Sequence, residues 1–197
     1  MARWQPGTRE RLQSVSLRLF AEQGFERTTV AEIAAAADVT ERTFFRHFDD
    51  KREVLFAGQE DFVAMFLDPI ETAPDDTTTL ELVSRALEGT AALFTDERRA
   101  WSRMRQPIIE AEPSLREREL GKLATLTVRI GEALRERGIG EPGATLAAEM
   151  TVTVFHLSFQ QWIAPGEDRS LQALTRERLD ALTALVAPSP NGRTGRS

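Results

Sequence analysis

The chain has 197 residues, 41% of them hydrophobic and 28% charged, the ordinary balance of a globular protein with room for one or two small cores. It has no cysteine, which excludes disulfides, cysteine-ligated zinc and thiol catalysis, and its two histidines, His47 and His156, are too few and too far apart for a metal site. The net charge of −6 argues against a general nucleic-acid coat, yet residues 1–52 carry nine Lys/Arg against eight Asp/Glu, a net +1 that leaves −7 to the remainder.

No apolar run after Met1 resembles a signal peptide and none approaches the ~18 residues of a membrane span, so the expectation is a cytoplasmic protein with no membrane partner. Helical periodicity dominates and predicts an all-α fold of about nine helices. Thr8 or Gly7 opens the first, with Leu12, Val15, Leu19 and Phe20 on one face, and Gly24 stops it. Thr29 and Glu32 form a Thr-x-x-Glu capping box that opens a second helix through Ile33 and Ala37. Asp38-Val39 makes a turn, Thr40 caps a third helix ending near Phe48, and a fourth runs from about Lys51 to Leu67. The Pro-, Asp- and Thr-rich segment 68–79 is a connector.

Beyond it, Leu80, Val83, Leu87, Ala91 and Phe94 repeat at helical spacing, and Trp101, Met104 and Ile108 mark a shorter helix, kinked or broken at Pro107. Leu123, Leu126, Ile130 and Leu134 line a long helix over about 114–137. The most apolar helix is 143–163, and a last one carries Leu171, Leu174, Leu182 and Leu185. Residues 188–197 have no core-forming side chains and are expected to be a disordered tail. The division expected is a DNA-binding head (1–52), a ligand-binding and dimerisation body (53–187) and that tail.

Helix, tight turn, helix, with apolar Ile33, Ala34, Val39, Phe44 and Phe48 inside, is the helix-turn-helix arrangement. The opposite side presents Glu41, Arg42, Thr43, Phe45, Arg46 and His47. When such a helix enters the major groove by its N-terminus, these early positions lie at base edges, and an arginine at 42 can take guanine O6 and N7 bidentately. Thr43, His47, Lys51 and the helix N-termini at Thr29 and Thr40 suit phosphate, which fixes position without reading sequence. The same charges serve equally as the solvated face of an amphipathic helix, and Thr40 is needed as a cap in either case.

The run GFERTTVAEIAAAADVTERTFFRHFDDKREVLF resembles the DNA-binding domain of the TetR family of bacterial transcriptional regulators over about residues 9–56. The likeness lies in the Gly-Phe turn, Thr-Thr-Val, Ile-Ala, the Val-Thr cap and the aromatic run before a loop ending in lysine. ERTFFRHF…DKREVLF is also similar to an actinobacterial subgroup associated with mycofactocin gene clusters. The resemblance implies an all-helical homodimer with an N-terminal three-helix domain for double-stranded DNA and a C-terminal domain that dimerises and binds an effector. Carried over by position, it implies phosphate contact at Thr29, Thr43, His47 and Lys51, base contact at Glu41 and Arg42, and a groove-surface place for Phe45 and Arg46. Phe45 departs from the family's usual tyrosine and offers only apolar contact, and Asp38 stands where glycine is common.

Helix 143–163 carries two apolar stripes, one through Leu146, Met150, Val154 and Leu157, the other through Val152, Phe155, Phe159 and Trp162, so it must be buried on several sides. Between them Glu149, Thr153, His156 and Gln160 form a polar line. That line faces either solvent and a partner helix, or a cavity where sparse polar groups orient an apolar effector. Candidates for such a cavity are Phe62, Phe66, Phe94, Trp101, Met104, Phe155 and Phe159, with His156 and Arg105 as polar contacts, each also explicable as core or surface. The subgroup resemblance is compatible with an acyl or acyl-coenzyme A ligand. Leu157, Leu171, Leu174, Leu182 and Leu185 are expected at a dimer interface built from two helices of each subunit.

An enzyme has little support. Glu149 and His156 lie two turns apart without a metal-ligand signature, and no nucleophile motif or phosphate-binding glycine loop occurs. A non-specific DNA coat is disfavoured by the acidic body, because that mode needs many phosphate neutralisations. The reading is an effector-responsive repressor that binds a palindromic operator as a homodimer and needs no cofactor or metal. An activator or a ligand-independent regulator is the alternative.

Overall fold

A computed structural model describes residues 7–91 and 93–186. Among them are ten helices and no strand: α1 (Thr8–Gln23), α2 (Val30–Ala36), α3 (Glu41–His47), α4 (Glu53–Phe56), α5 (Gln59–Glu71), α6 (Thr79–Ala91), α7 (Asp96–Ala111), α8 (Pro113–Glu136), α9 (Gly143–Ile163) and α10 (Leu171–Val186). The all-α expectation holds. The count exceeds nine because the segment expected as one helix from Lys51 to Leu67 is two. α4 ends at Ala57, whose ψ of 143° is extended, and Gly58 follows at a φ of 85°, a backbone that a side chain resists. The apolar period of Leu55, Phe62 and Phe66 runs across this break, which is why periodicity alone joins the two.

α7 differs in the other direction. It passes through Pro107 without breaking. The proline removes one backbone donor, but Ile108 and Ile109 directly after it are buried in the core, and their burial keeps the following turn helical. The tail at 188–197 lies outside the described residues.

The chain forms two compact units. One holds residues as far as Ala64 together with Asp96–Leu126; the other holds Met65–Thr95 and the chain from Thr127 onward. In the first, α1 packs on α2, α4 and α7, and α2 on α3, around Leu12, Phe20, Ile33, Phe44 and Ile109. In the second, α6, α9 and α10 pack pairwise and bury Leu82, Leu87, Trp162, Leu171 and Leu174.

α5 and α6 approach so closely that only glycine fits at one point. A Cβ on Gly89 would stand 2.7 Å from Pro69 Cγ and 3.4 Å from the Met65 carbonyl oxygen. The proline ring is stiff, so the helices would have to separate. Gly89→Ala is therefore expected to destabilise the second unit by about 1–3 kcal/mol, the usual cost of overpacking. Urea unfolding measures it, and an unchanged midpoint would show that the helices part freely.

Candidate nucleic-acid interface

The helix-turn-helix segment is held by local caps. Glu32 N–H donates to Thr29 Oγ1 at 3.2 Å while Thr29 N–H donates to Glu32 Oε2 at 2.8 Å, so the capping box closes as its spacing implies. Hydrogen bonds from the Thr29 backbone and hydroxyl hold the Glu32 carboxyl below its ordinary pKa. Beyond the end of α2, Asp38 takes a left-handed backbone with a φ of 54°, and Val39 N–H donates back to Ala34 O at 2.9 Å. Aspartate is among the residues that enter this region most readily, which is how the turn forms without glycine. Arg11 Nε on α1 braces the same turn by donating to Ala37 O at 2.9 Å.

α3 starts at Thr40, whose hydroxyl accepts from Thr43 N–H at 3.2 Å, and the two hydroxyls lie 3.0 Å apart. Phe44 is fully buried, edge-on to Phe45 at 5.5 Å and tilted against Phe48 at 5.5 Å. Burying Phe44 turns the opposite side outward, so Glu41, Arg42, Phe45 and Arg46 are exposed while Thr43 and His47 are half-buried. The Phe45 ring is 52% exposed, an uneconomical place for an aromatic unless a partner covers it. His47 Nε2 is enclosed and makes no hydrogen bond with any described residue.

Lys51, expected at a phosphate, is turned into the fold. Its ammonium donates to the carbonyls of Phe25, Glu26 and Thr28 at 2.8, 3.2 and 3.1 Å and lies 4.4 Å from the centre of the Phe25 ring. An ammonium has three N–H donors, and all three are committed within the fold. Lys51 braces the loop that leads into the α2 cap.

In the second unit, Phe66, Phe94, Phe155 and Phe159 converge, joined by Trp162. Phe94 lies 5.8 Å from Phe155, 5.9 Å from Phe159 and 5.4 Å from Trp162, and Phe66 meets Phe155 at 5.2 Å, all near edge-to-face. His156 is half-buried on α9. Phe62, Trp101, Met104 and Arg105 fall in the first unit. Phe62 and Trp101 are half-buried, and Met104 is 52% exposed.

Arg105 is committed to the fold. It donates from Nε to Leu55 O and from Nη1 to Glu119, both at 2.8 Å, and its guanidinium lies 5.0 Å from the centre of the Phe56 ring. Burial pushes its pKa down, against the upward pull of the Glu119 carboxylate.

Of the leucines expected at a dimer interface, Leu171 and Leu174 are fully buried within the chain, where α10 packs on α6 and α9. They are core residues. Leu182 is half-buried, whereas Leu157 and Leu185 are 52% and 82% exposed. Among the described residues no three His, Asp or Glu side chains gather as a metal site, and no helix is long and apolar enough to cross a membrane.

The sequence profile of "Bacterial regulatory proteins, tetR family" matches residues 13–57, the span from α1 through α4. Over that span the chain resembles the TetR family. The HTH-type transcriptional regulator TcmR of Streptomyces glaucescens is 38% identical over 89 residues, 45% of this chain and 39% of that regulator. The chain aligns with half or less of the length of the curated relatives it matches. These relatives are regulators rather than enzymes.

Solved structures extend the likeness in fold over most of the chain. FadR from Bacillus subtilis, in complex with stearoyl-CoA, superposes with a TM-score of 0.62 at 17% identity, covering 90% of this chain and 99% of that one. FadR from Thermus thermophilus, in complex with lauroyl-CoA, gives 0.55 at 22%, covering 95% and 100%.

Around this segment the structure adds residues that motif reading passes over. Arg118 and Lys122, one turn apart on α8, reach α4. Lys122 donates to Phe56 O at 3.0 Å, Arg118 pairs with Glu53, and both lie within 5.5 Å of the Phe56 ring centre. Their spacing is visible in the sequence, but their partners on α4 lie 65 and 66 residues away.

Proposed function

We propose that the chain is a transcriptional repressor that binds a palindromic operator as a homodimer and is released by a largely apolar effector, an acyl-coenzyme A being the class favoured. One observation carries the DNA reading. The outward face of α3 sets Arg42 and Arg46 beside an exposed aromatic ring, and neither arginine has an ion-pair partner among the described residues. Exposed guanidinium groups along the outward face of a helix held by a helix-turn-helix suit guanine edges and phosphates.

Dimerisation is supported by Leu146, Leu157 and Leu185, large apolar side chains exposed on α9 and α10 that a second copy would cover. The effector class is supported by the aromatic cluster around Phe94 and by the acyl-CoA ligands of the two FadR complexes. Phe66, Phe94, Phe155, Phe159 and His156 are the side chains proposed to meet it. The effector acts by binding one spacing of the two heads better than another, since equal affinity shifts nothing. The mycofactocin-associated subgroup and a cytoplasmic setting belong to the same proposal.

The test is selection of duplexes from a random pool, followed by addition of lauroyl-CoA. A palindromic site is expected to emerge, and acyl-CoA to release it. Arg42→Ala is expected to weaken that site by about 1–3 kcal/mol and relax one base pair in each half. The reading fails if no sequence is enriched, or if the variant keeps the full preference.

A further inference from the structure

We infer that Arg9, near the start of α1, is a backbone-phosphate contact of the head, in the part that the sequence pattern gives to Lys51. This rests on the DNA-binding reading above and adds a residue to it from a different helix.

The cations of this segment divide by where they go. Between residues 9 and 52 the chain has eight Lys and Arg. Five are engaged within the fold. Arg11 donates to Ala37 O, and Arg27 donates to Gln23 O at 2.6 Å. Arg18 faces Glu22 at 3.8 Å, Arg52 pairs with Asp50 at 2.7 Å, and Lys51 fills its three donors with loop carbonyls. Three remain exposed without an ion pair or a guanidinium hydrogen bond among the described residues: Arg42 and Arg46 on α3, and Arg9.

Arg9 is also anchored beside α3. Its guanidinium carbon lies 5.5 Å from the centre of the Phe48 ring, and Phe48 is the C-cap of α3, directly after Arg46 and His47. Contact with a ring satisfies no N–H, so the donors stay available while the side chain gives up part of its rotamer freedom in advance. A cation held this way loses less entropy when it grips phosphate than a free one does. It also places a second arginine near the C-terminal end of α3, where Arg46 already stands.

The experiment measures binding to a short fluorescent duplex of arbitrary sequence over a range of salt concentrations. The wild type is compared with Arg9→Ala, Arg9→Lys and Lys51→Met. Arg9→Ala is expected to reduce the slope of log affinity against log salt by about 0.9 for each head engaged, at an unchanged melting temperature. Arg9→Lys restores most of the slope. Lys51→Met, which keeps the stem over Phe25 but no donor, is expected to keep the slope and lower the melting temperature.

An unchanged slope in Arg9→Ala overturns the inference and leaves the DNA reading intact. So does a Lys51→Met protein that melts normally but loses slope. If the wild type shows no salt-dependent binding to any duplex, the inference and the DNA reading fall together. Should Lys51→Met not fold, the two Arg9 variants decide alone.

Discussion

Phe44→Ala is expected to unfold the head, with a loss of about 3–5 kcal/mol, the range for truncating a fully buried phenylalanine. Phe44 is 0% exposed and touches the rings of both Phe45 and Phe48. The core it belongs to also holds Leu12, Phe20 and Ile33, so its removal leaves a cavity where α1, α2 and α3 meet. A small domain has only ~5–15 kcal/mol in total, so the loss should appear as an early unfolding transition and as absent DNA binding. Phe45→Ala is the control. Its ring faces outward, so stability should move by no more than about 0.5 kcal/mol while duplex affinity falls. Equal stability losses in the two variants would mean that α3 is rotated from the orientation described.

Arg105→Leu has the next largest expected effect, about 2–4 kcal/mol. The leucine fills much of the stem's volume but leaves Leu55 O without its donor and Glu119 without its partner, and it ends the contact with the Phe56 ring. Arg105→Lys should recover only part of the loss, because one ammonium cannot span both acceptors as the guanidinium fork does. The same variants separate a structural role from the effector contact that sequence pattern suggests. A fold residue lowers the unfolding midpoint in urea. An effector residue lowers acyl-CoA affinity at a normal midpoint, and that outcome would return Arg105 to the effector site.

The sequence by itself determined whatever depends on neighbours within a turn or two. The Thr29–Glu32 capping box, the Thr40 cap, the stop at Gly24 and the apolar faces of α6, α8 and α9 all follow from spacing, since caps and helical periods act over three or four residues. The outward placing of Glu41, Arg42, Phe45 and Arg46 was legible for the same reason: burying Phe44 fixes where the rest of a seven-residue helix must point. Where local signals overlap they mislead: the apolar period runs across Gly58, and Pro107 suggests a break or kink in a helix that continues through it.

Only the tertiary structure decided what the long cationic side chains do and which leucines are core. Lys51 finds its carbonyls 23 to 26 residues away and Arg105 finds Leu55 at a separation of 50. From sequence both are simply flexible cations near a motif, suited equally to phosphate, ligand or carbonyl. Leu171 and Leu174 share a helical stripe with Leu182 and Leu185, but only the first two are fully buried where α10 packs on α6 and α9. A pattern of apolar residues shows that a face must be buried. What buries it, and which donor reaches which acceptor, depends on how distant helices pack, because a hydrogen bond or van der Waals contact is made only within a few ångströms.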